Sequence, residues 1–229
     1  QTDLPLSVTR NRKRLEYGGW SFRSGWAVCN LTEINMEKNR TKEEFFDACQ
    51  AASYIGTLQA GYTETGYLGR VSKTIIEQEA LIGVSLTGMY SNPLSFDASI
   101  LRDGSLIVED TNRITSKRIG INHASRMTCI KPSGNTSTIL GTCSGIHPFH
   151  ADRYIRTIRL SKINPIWQLI KEKLPEAIID PEGDTGIVQF ACVGKGTTRD
   201  ELSAKDFLEN VALVQSHWVE YGSADSRVE

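Results

Sequence analysis

A turn rich in hydroxyl groups and glycine lies in the middle of the chain, between an apolar run and a segment that can form a helix. The apolar run, residues 127–130, is long enough for one buried strand. Residues 131–135, Lys-Pro-Ser-Gly-Asn, end that strand because Pro and Gly cannot continue a central strand. A helix can then begin near residue 136, with Ser133 or Asn135 as its N-cap.

The chemistry that such a turn supports is anion binding. The first N–H groups of a helix have no acceptor within the helix, and the helix dipole gives them partial positive charge. A phosphate group is therefore a suitable ligand for this turn. An ordinary strand-to-helix connection with a capping residue is the alternative, because hydroxyl-rich turns are common.

The chain has five cysteines, at positions 29, 49, 129, 143 and 192, and they form neither a CxxC pair nor a zinc-binding pattern. Their odd number and wide spacing predict a reducing cytoplasm, where any disulfide is transient or catalytic. An isolated cysteine is usually a buried, inert residue, and Cys49 and Cys192 fit that description because they lie in apolar stretches. His147 and His150 have no further ligands at suitable spacing, so no metal site is predicted.

Length and composition limit the possible classes of protein. A chain of 229 residues with 39% apolar side chains can bury a sizeable core as one or two domains. Its net charge of −1 gives no general attraction to nucleic acid or to an anionic membrane. No stretch approaches about 18 uninterrupted apolar residues, and the N-terminus shows no apolar signal segment. We therefore predict a cytoplasmic protein that binds neither nucleic acid nor membrane.

The periodicity of apolar residues predicts alternating strands and helices. Helices are predicted at residues 41–59, 66–79, 99–118, 136–140, 163–174 and 202–218, and the first of these begins with a capping box of Thr41 and Glu44. Strands are predicted at residues 26–34, 81–89, 127–130, 153–159 and 186–193. This alternation favours an α/β fold with a parallel sheet or a barrel.

Two segments resemble ribonucleotide reductases. Residues 131–159, KPSGNTSTILGTCSGIHPFHADRYIRTIR, resemble the nucleotide loop of the adenosylcobalamin-dependent (class II) enzymes, in which Pro-Ser-Gly-Thr/Asn-Thr-Ser precedes Ser-Gly-Ile-His-Pro and a Tyr-Ile-Arg-Arg-type strand. Residues 25–35, GWAVCNLTEIN, resemble a segment of the monomeric ribonucleoside-triphosphate reductases of that class. The resemblance extends over residues 24–222. It implies that residues 24–229 are a partial catalytic domain, part of the ten-stranded α/β barrel of ribonucleotide reductases, and leaves 1–23 as an irregular segment without resemblance.

The resemblance also implies a site and partners. Cys29 takes the position of one of two thiols that deliver reducing electrons and close into a disulfide, with its partner upstream of this chain. The residues at the position of the substrate phosphates are Ser133, Gly134, Asn135, Thr136 and Ser137. Adenosylcobalamin is the implied cofactor, a ribonucleotide the substrate, and thioredoxin or a similar dithiol the reductant. The family's radical cysteine and its glutamate, in an Asn-Pro-Cys-x-Glu motif, are not in this chain, so we expect an internal segment that is inactive alone.

Two other interpretations stay open. One is a nucleotide- or phosphate-binding domain that keeps the loop without redox chemistry. The other is the large subunit of an iron-dependent (class I) ribonucleotide reductase, which shares the barrel. The sequences Cys-Asn-Leu-Thr-Glu-Ile-Asn and Ser-Gly-Ile-His-Pro favour the cobalamin-dependent branch.

Overall fold

The computed structural model describes residues 11–14, 20–23 and 25–221. The described residues divide into two compact units: one runs to His147 and resumes at Ala204, and the other spans Pro148–Ser203. Both units mix helices and strands. Among the described residues, no helix combines the length and the apolar character that crossing a membrane requires.

The N-terminal segment contains two short strands where irregular structure was predicted. Strand β1 (Asn11–Arg14) pairs antiparallel with strand β2 (Trp20–Arg23). The polar, basic β1 sequence gives no apolar alternation, so periodicity could not predict a strand there. The rest of residues 1–23 lies outside the described part of the chain, and the prediction for it stays a prediction.

The first unit is built on a parallel sheet of strands β3 (Asn30–Asn35), β4 (Ile82–Thr87) and β5 (Thr128–Cys129), in the order β3-β4-β5. All six residues of the central strand β4 are buried, as its continuous apolar character predicted. β3 begins later than predicted, so Cys29 lies one residue before it. The parallel strands confirm an α/β arrangement, although the described strands do not close into a barrel.

Helices cover this sheet because parallel strands need long crossover connections. The α-helices, in chain order and over both units, are α1 (Lys42–Ala60), α2 (Gly69–Glu79), α3 (Ala98–Ile119), α4 (Asn135–Leu140), α5 (Pro165–Lys173) and α6 (Ala204–Val214). The capping box of Thr41 and Glu44 is present at the start of α1, as predicted. A short π-helix, Gln215–Val219, continues α6.

The apolar residues of helix α1 at three- and four-residue steps, among them Cys49, Ile55 and Leu58, predict one buried stripe, and the helix buries a different face at its C-terminal end. Cys49 is fully buried, which confirms its assignment to the core, but Ile55 and Leu58 are exposed. The buried face turns instead toward α3, where Ser53 Oγ donates to the Val108 carbonyl at 2.7 Å. Periodicity alone could not find this face because it contains small and hydroxyl-bearing residues.

The second unit carries an antiparallel sheet. Strands β6 (Arg153–Ser161), β7 (Ile178–Ile179) and β8 (Thr185–Val193) pair in the order β6-β8-β7. β8 was predicted to be a buried strand with Cys192 in the core, and that prediction is wrong. Cys192 is partly exposed, because most of β8 faces solvent on at least one side.

Candidate functional site

One face of β4 carries a glycine, Gly83, followed by two residues with hydroxyl groups, Ser85 and Thr87. Alternate residues of a strand share a face, so these three form a row along the sheet. At about 3.3 Å per residue the row is about 13 Å long. Among the sequence-predicted site residues, Cys29 and Ser133 contact this row.

Cys29 lies at the start of the row. A methyl group added at Gly83 would be 3.1 Å from Cys29 Sγ, so the sulfur occupies the space that the glycine leaves. Cys29 is exposed as a residue, yet partial burial of its thiol raises its pKa. A raised pKa lowers the thiolate fraction near neutral pH and makes the thiol a slower nucleophile.

The predicted phosphate-binding loop lies at the other end of the same row. The backbone amide of Lys131 donates to Ser85 Oγ at 2.9 Å. The hydroxyl of Thr87 lies 3.2 Å from both Ser133 Oγ and the Cys143 carbonyl, to either of which it can donate, and it accepts from the Gly145 amide at 2.9 Å. Cys29 and the loop therefore share one face of the sheet, although they are more than 100 residues apart in sequence.

The loop is only partly open to solvent. The side chains of Ser133 and Ser137 are buried, and Ser137 Oγ donates to the Gly134 carbonyl at 3.2 Å. Thr136 is half-buried and its amide donates to the Ser133 carbonyl at 3.0 Å, whereas Gly134 and Asn135 are exposed. The two serine hydroxyls thus hold the turn, and its accessible part is the backbone at Gly134 and Asn135.

The N-cap of α4 is Gly134, not Ser133 or Asn135 as predicted. Its φ of 53° is a left-handed conformation that favours glycine, and a glycine has no side chain with which to cap the first N–H groups. Ser133 cannot act as the cap because its hydroxyl is turned toward Thr87. The turn at a helix start is confirmed, and no side chain caps it.

A buried ion pair connects this loop to β3. Lys131 Nζ lies 2.9 Å from Glu33 Oε2, and the side chains are only 17% and 6% exposed. The other carboxylate oxygen, Glu33 Oε1, is buried and has no hydrogen-bond partner within the described part of the chain. Such an oxygen can accept a hydrogen bond from a donor on a ligand.

A cavity of about 550 Å³ lies beside this pair. Its walls come from β3, α1 and the loop, and they include Leu31, Glu33, Ala51, Lys131 and Thr136. Its volume is in the range of small-molecule sites. Cys29 and Ser133 are not among its lining residues, so Cys29 and the loop share a sheet face rather than this cavity.

Sequence reasoning missed Glu33, Lys131 and Cys129 as members of this site. A methyl group at Gly83 would lie 3.0 Å from Cys129 Sγ, and burial raises the pKa of Cys129 to about 12, with a smaller contribution from Cys29. Glu33 lies within the recognised motif of residues 25–35. A charged residue in a predicted strand was the signal that could have identified it as a site residue. No local signal could identify Cys129, because its position depends on the pairing of β4 with β5.

His147 and His150, for which the sequence predicted no metal site, both make contacts with aromatic rings. His147 lies 6.1 Å from the ring of Phe207, and His150 lies edge-on to Tyr154 at 5.8 Å. Over residues 25–221, no group of three or more His, Cys, Asp or Glu side chains is placed to hold a metal ion.

Comparisons with known proteins show which proteins this chain is similar to. No family model matches the chain. An adenosylcobalamin-dependent ribonucleoside-triphosphate reductase from Euglena gracilis is 25% identical over 207 residues, which cover 84% of this chain and 27% of that protein. The reductase of the same name from Lactobacillus acidophilus is 26% identical over 178 residues, which cover 63% of this chain and 23% of that protein. The chain thus spans about a quarter of the length of these relatives.

A solved structure matches the fold. The crystal structure of a B12-dependent (class II) ribonucleotide reductase superposes with a TM-score of 0.65 and 19% identity, covering 86% of this chain and 32% of that chain. That structure has an α/β barrel, which agrees with the predicted fold class. The resemblance found in the two motifs is thereby confirmed: over part of their length, this chain is a homologue of adenosylcobalamin-dependent ribonucleoside-triphosphate reductases.

Proposed function

We propose that residues 24–229 are part of the catalytic α/β barrel of an adenosylcobalamin-dependent ribonucleoside-triphosphate reductase. The whole enzyme would convert ribonucleotides to 2′-deoxyribonucleotides, which supply DNA synthesis. The observation that carries the proposal is the common face of β4, where the thiol of Cys29 and the loop that begins at Lys131 both lie. The names and fold of the matched proteins support it.

In this proposal Cys29 provides one of two reducing thiols. The ribose loses its 2′-hydroxyl as water and gains hydrogen, and two thiols lose two electrons and two protons as they join in a disulfide. Two facing sulfurs suit this task because exchange with an external dithiol, such as thioredoxin, restores them. The proposed location is the reducing cytoplasm, which agrees with five cysteines that are all free thiols here.

The loop would bind the phosphates of the substrate. We assign this role to Ser133, Gly134, Asn135, Thr136 and Ser137, with the uncapped backbone at Gly134 and Asn135 as the accessible part and the serine hydroxyls as its support. The ion pair between Glu33 and Lys131 would hold the loop at a fixed distance from β3. Such positioning of a substrate can lower a reaction barrier by several kcal/mol.

Adenosylcobalamin supplies the radical that starts this reaction when it is bound. The groups on this face of β4 are thiols, hydroxyls and backbone amides, and the adjacent cavity of about 550 Å³ is too small to enclose a corrin with its nucleotide arm. No residue of this chain is therefore assigned to the cofactor. The chain's own part is thiol chemistry and nucleotide binding, and by itself it should form no deoxyribonucleotide.

The decisive experiment on the loop is Asn135→Asp, measured by equilibrium dialysis of the purified chain with a ribonucleoside triphosphate. The substitution keeps the shape of the side chain and favours the helix start, because a negative charge there complements the dipole. It should nevertheless weaken triphosphate binding about tenfold through repulsion of the phosphates.

The matched control is Gln50→Glu, which makes the same change in charge at an exposed position of α1. It should leave binding unchanged. Equal binding by the chain with and without Asn135→Asp would remove the loop from the phosphate site.

Cys29→Ser separates a reductase from a nucleotide-binding domain without redox chemistry. In the longer enzyme to which we assign this chain, it should abolish thioredoxin-dependent turnover and leave nucleotide binding intact. Retained turnover would mean that Cys29 is not a reducing thiol. The iron-dependent enzyme considered above gains no support, because both matched reductases are named as adenosylcobalamin-dependent.

A further inference from the structure

Two sulfur atoms share the space above Gly83. A methyl group placed on that glycine would lie 3.0 Å from Cys129 Sγ and 3.1 Å from Cys29 Sγ. Since both sulfurs lie about 3 Å from one point, they cannot be farther apart than about 6 Å. The two cysteines are 100 residues apart in sequence, so only the folded chain brings them together.

The sheet explains why they meet. Leu31 of β3 is paired with Gly83, and Cys129 of β5 is paired with Ser85, so Cys29 and Cys129 point to the same face of the sheet from opposite sides of β4. Any residue larger than glycine at position 83 would place a side chain about 3 Å from both sulfurs and 2.5 Å from Leu31 Cδ2.

We propose that Cys29 and Cys129 form a dithiol–disulfide couple, in which Cys129 is a partner for Cys29 within this chain. The proposal rests on the position of the two sulfurs and does not depend on reductase activity. It is distinct from the upstream partner that the family resemblance implies for Cys29.

The reaction needs an oxidant, for which a small disulfide such as oxidised glutathione is suitable. The Cys29 thiolate attacks the glutathione disulfide, forms a mixed disulfide and releases one glutathione thiolate. The Cys129 thiolate then attacks the sulfur of Cys29, forms the internal S–S bond and releases the second glutathione. Overall, the two cysteines lose two electrons and two protons, and the oxidant becomes two glutathione thiols.

Cys29 is the residue that reacts first. It is exposed, whereas Cys129 is half-buried and has the pKa that burial raises to about 12. Burial is the main cause of the raised pKa of both thiols; at Cys129 the charges of Cys29 and Glu33 also raise the pKa, and Lys131 opposes them. The rate of closure should therefore increase with pH through the alkaline range.

Closure also requires a movement of the backbone. Strands that flank a common neighbour are about 10 Å apart, whereas the Cα atoms of a disulfide are usually about 4.4–6.8 Å apart. Cys29 can supply this movement because it precedes β3, in a segment of residues 25–29 with neither helix nor strand. Cys129 is held in β5 by its pairing with Ser85.

The experiment is oxidation of the purified chain with oxidised glutathione, followed by alkylation of the remaining thiols and peptide mapping without reductant. We expect a peptide pair that joins Cys29 to Cys129 as the main internal disulfide. Cys129→Ser should abolish it, and the control Cys143→Ser should retain it because Cys143 is not one of the two sulfurs beside Gly83. Absence of the Cys29–Cys129 pair, or equal linkage of Cys29 to other cysteines, would overturn the proposal.

Gly83→Ala provides an independent test, because its methyl group would crowd both sulfurs, as well as the side chain of Leu31. In a variant whose circular dichroism matches that of the unaltered chain, the yield of the disulfide should fall at least fivefold, and an unchanged yield would contradict the proposal.

A second measurement needs no variant: dibromobimane becomes fluorescent when it joins two neighbouring thiols. It should link Cys29 to Cys129 in the reduced chain, and failure to do so would count against the proposed pair.

Discussion

Strand β4 of the first unit is buried along its whole length, whereas none of the nine residues of β6 in the second unit is fully buried. The difference follows from the sheets, since helices cover a parallel sheet and an antiparallel sheet can leave a face in water. A strand buried on both faces can present chemistry only at its ends or where a small residue leaves space. In β4 these places are Gly83, beside two thiols, and Thr87, beside the loop.

The largest effect should come from placing a charge in each strand. Val84→Asp in β4 would bury a carboxylate without a partner and should cost about 4 kcal/mol or more of unfolding free energy. Ile155→Asp in β6, where the residue is 65% exposed, should cost about 1 kcal/mol or less. Urea unfolding of the two variants measures both values, and equal losses would contradict the contrast between the strands.

Removing one partner of the buried ion pair should have the next largest effect. Glu33→Gln leaves Lys131 charged and nearly enclosed, and should lower the unfolding free energy by about 3 kcal/mol. Adding Lys131→Met should restore most of that loss, because no buried charge then remains without a partner. A double variant no more stable than Glu33→Gln alone would show that the pair is not responsible.

Each unit also has a helix cap of similar kind, so equal substitutions should have similar effects in the two. Thr41→Ala removes the acceptor for the Glu44 amide in α1, and Asn164→Ala removes the acceptor for the Ile166 amide in α5. Each should cost about 1 kcal/mol, measured by urea unfolding. A much larger loss for one cap would mean that the side chain does more than accept this hydrogen bond.

The smallest effect concerns a surface ion pair of the second unit. Hydrogen bonds from Lys162 and Lys171 lower the pKa of Asp180. A carboxyl group with a lowered pKa in the folded state stabilises the fold above its unfolded pKa of about 3.9, and this stabilisation is lost as pH falls through the folded pKa. Thermal unfolding followed from pH 7 to pH 2 should therefore show a slightly smaller acid destabilisation in Asp180→Asn. High salt should reduce the difference, because the pair is exposed.

Local residue patterns were enough to predict many elements. The capping box of Thr41 and Glu44, the continuous apolar run of β4 and the alternating residues of β6 are each formed by neighbours in sequence. The predictions failed where a distant element changed the outcome. Ser133 is not the cap of α4 because Thr87, 46 residues earlier, lies against its hydroxyl.

By itself, the sequence determined most of the elements, the two family motifs and the candidate residues Cys29 and 133–137, because each depends on residues close together in the chain. Only the tertiary structure decided which of them meet. The pairing of β3, β4 and β5 brings Cys129 to Cys29 across Gly83, and Glu33 to Lys131 across 98 residues. A contact of this kind depends on strand register and on which face each side chain takes, and a shift of one residue would turn every side chain to the opposite face.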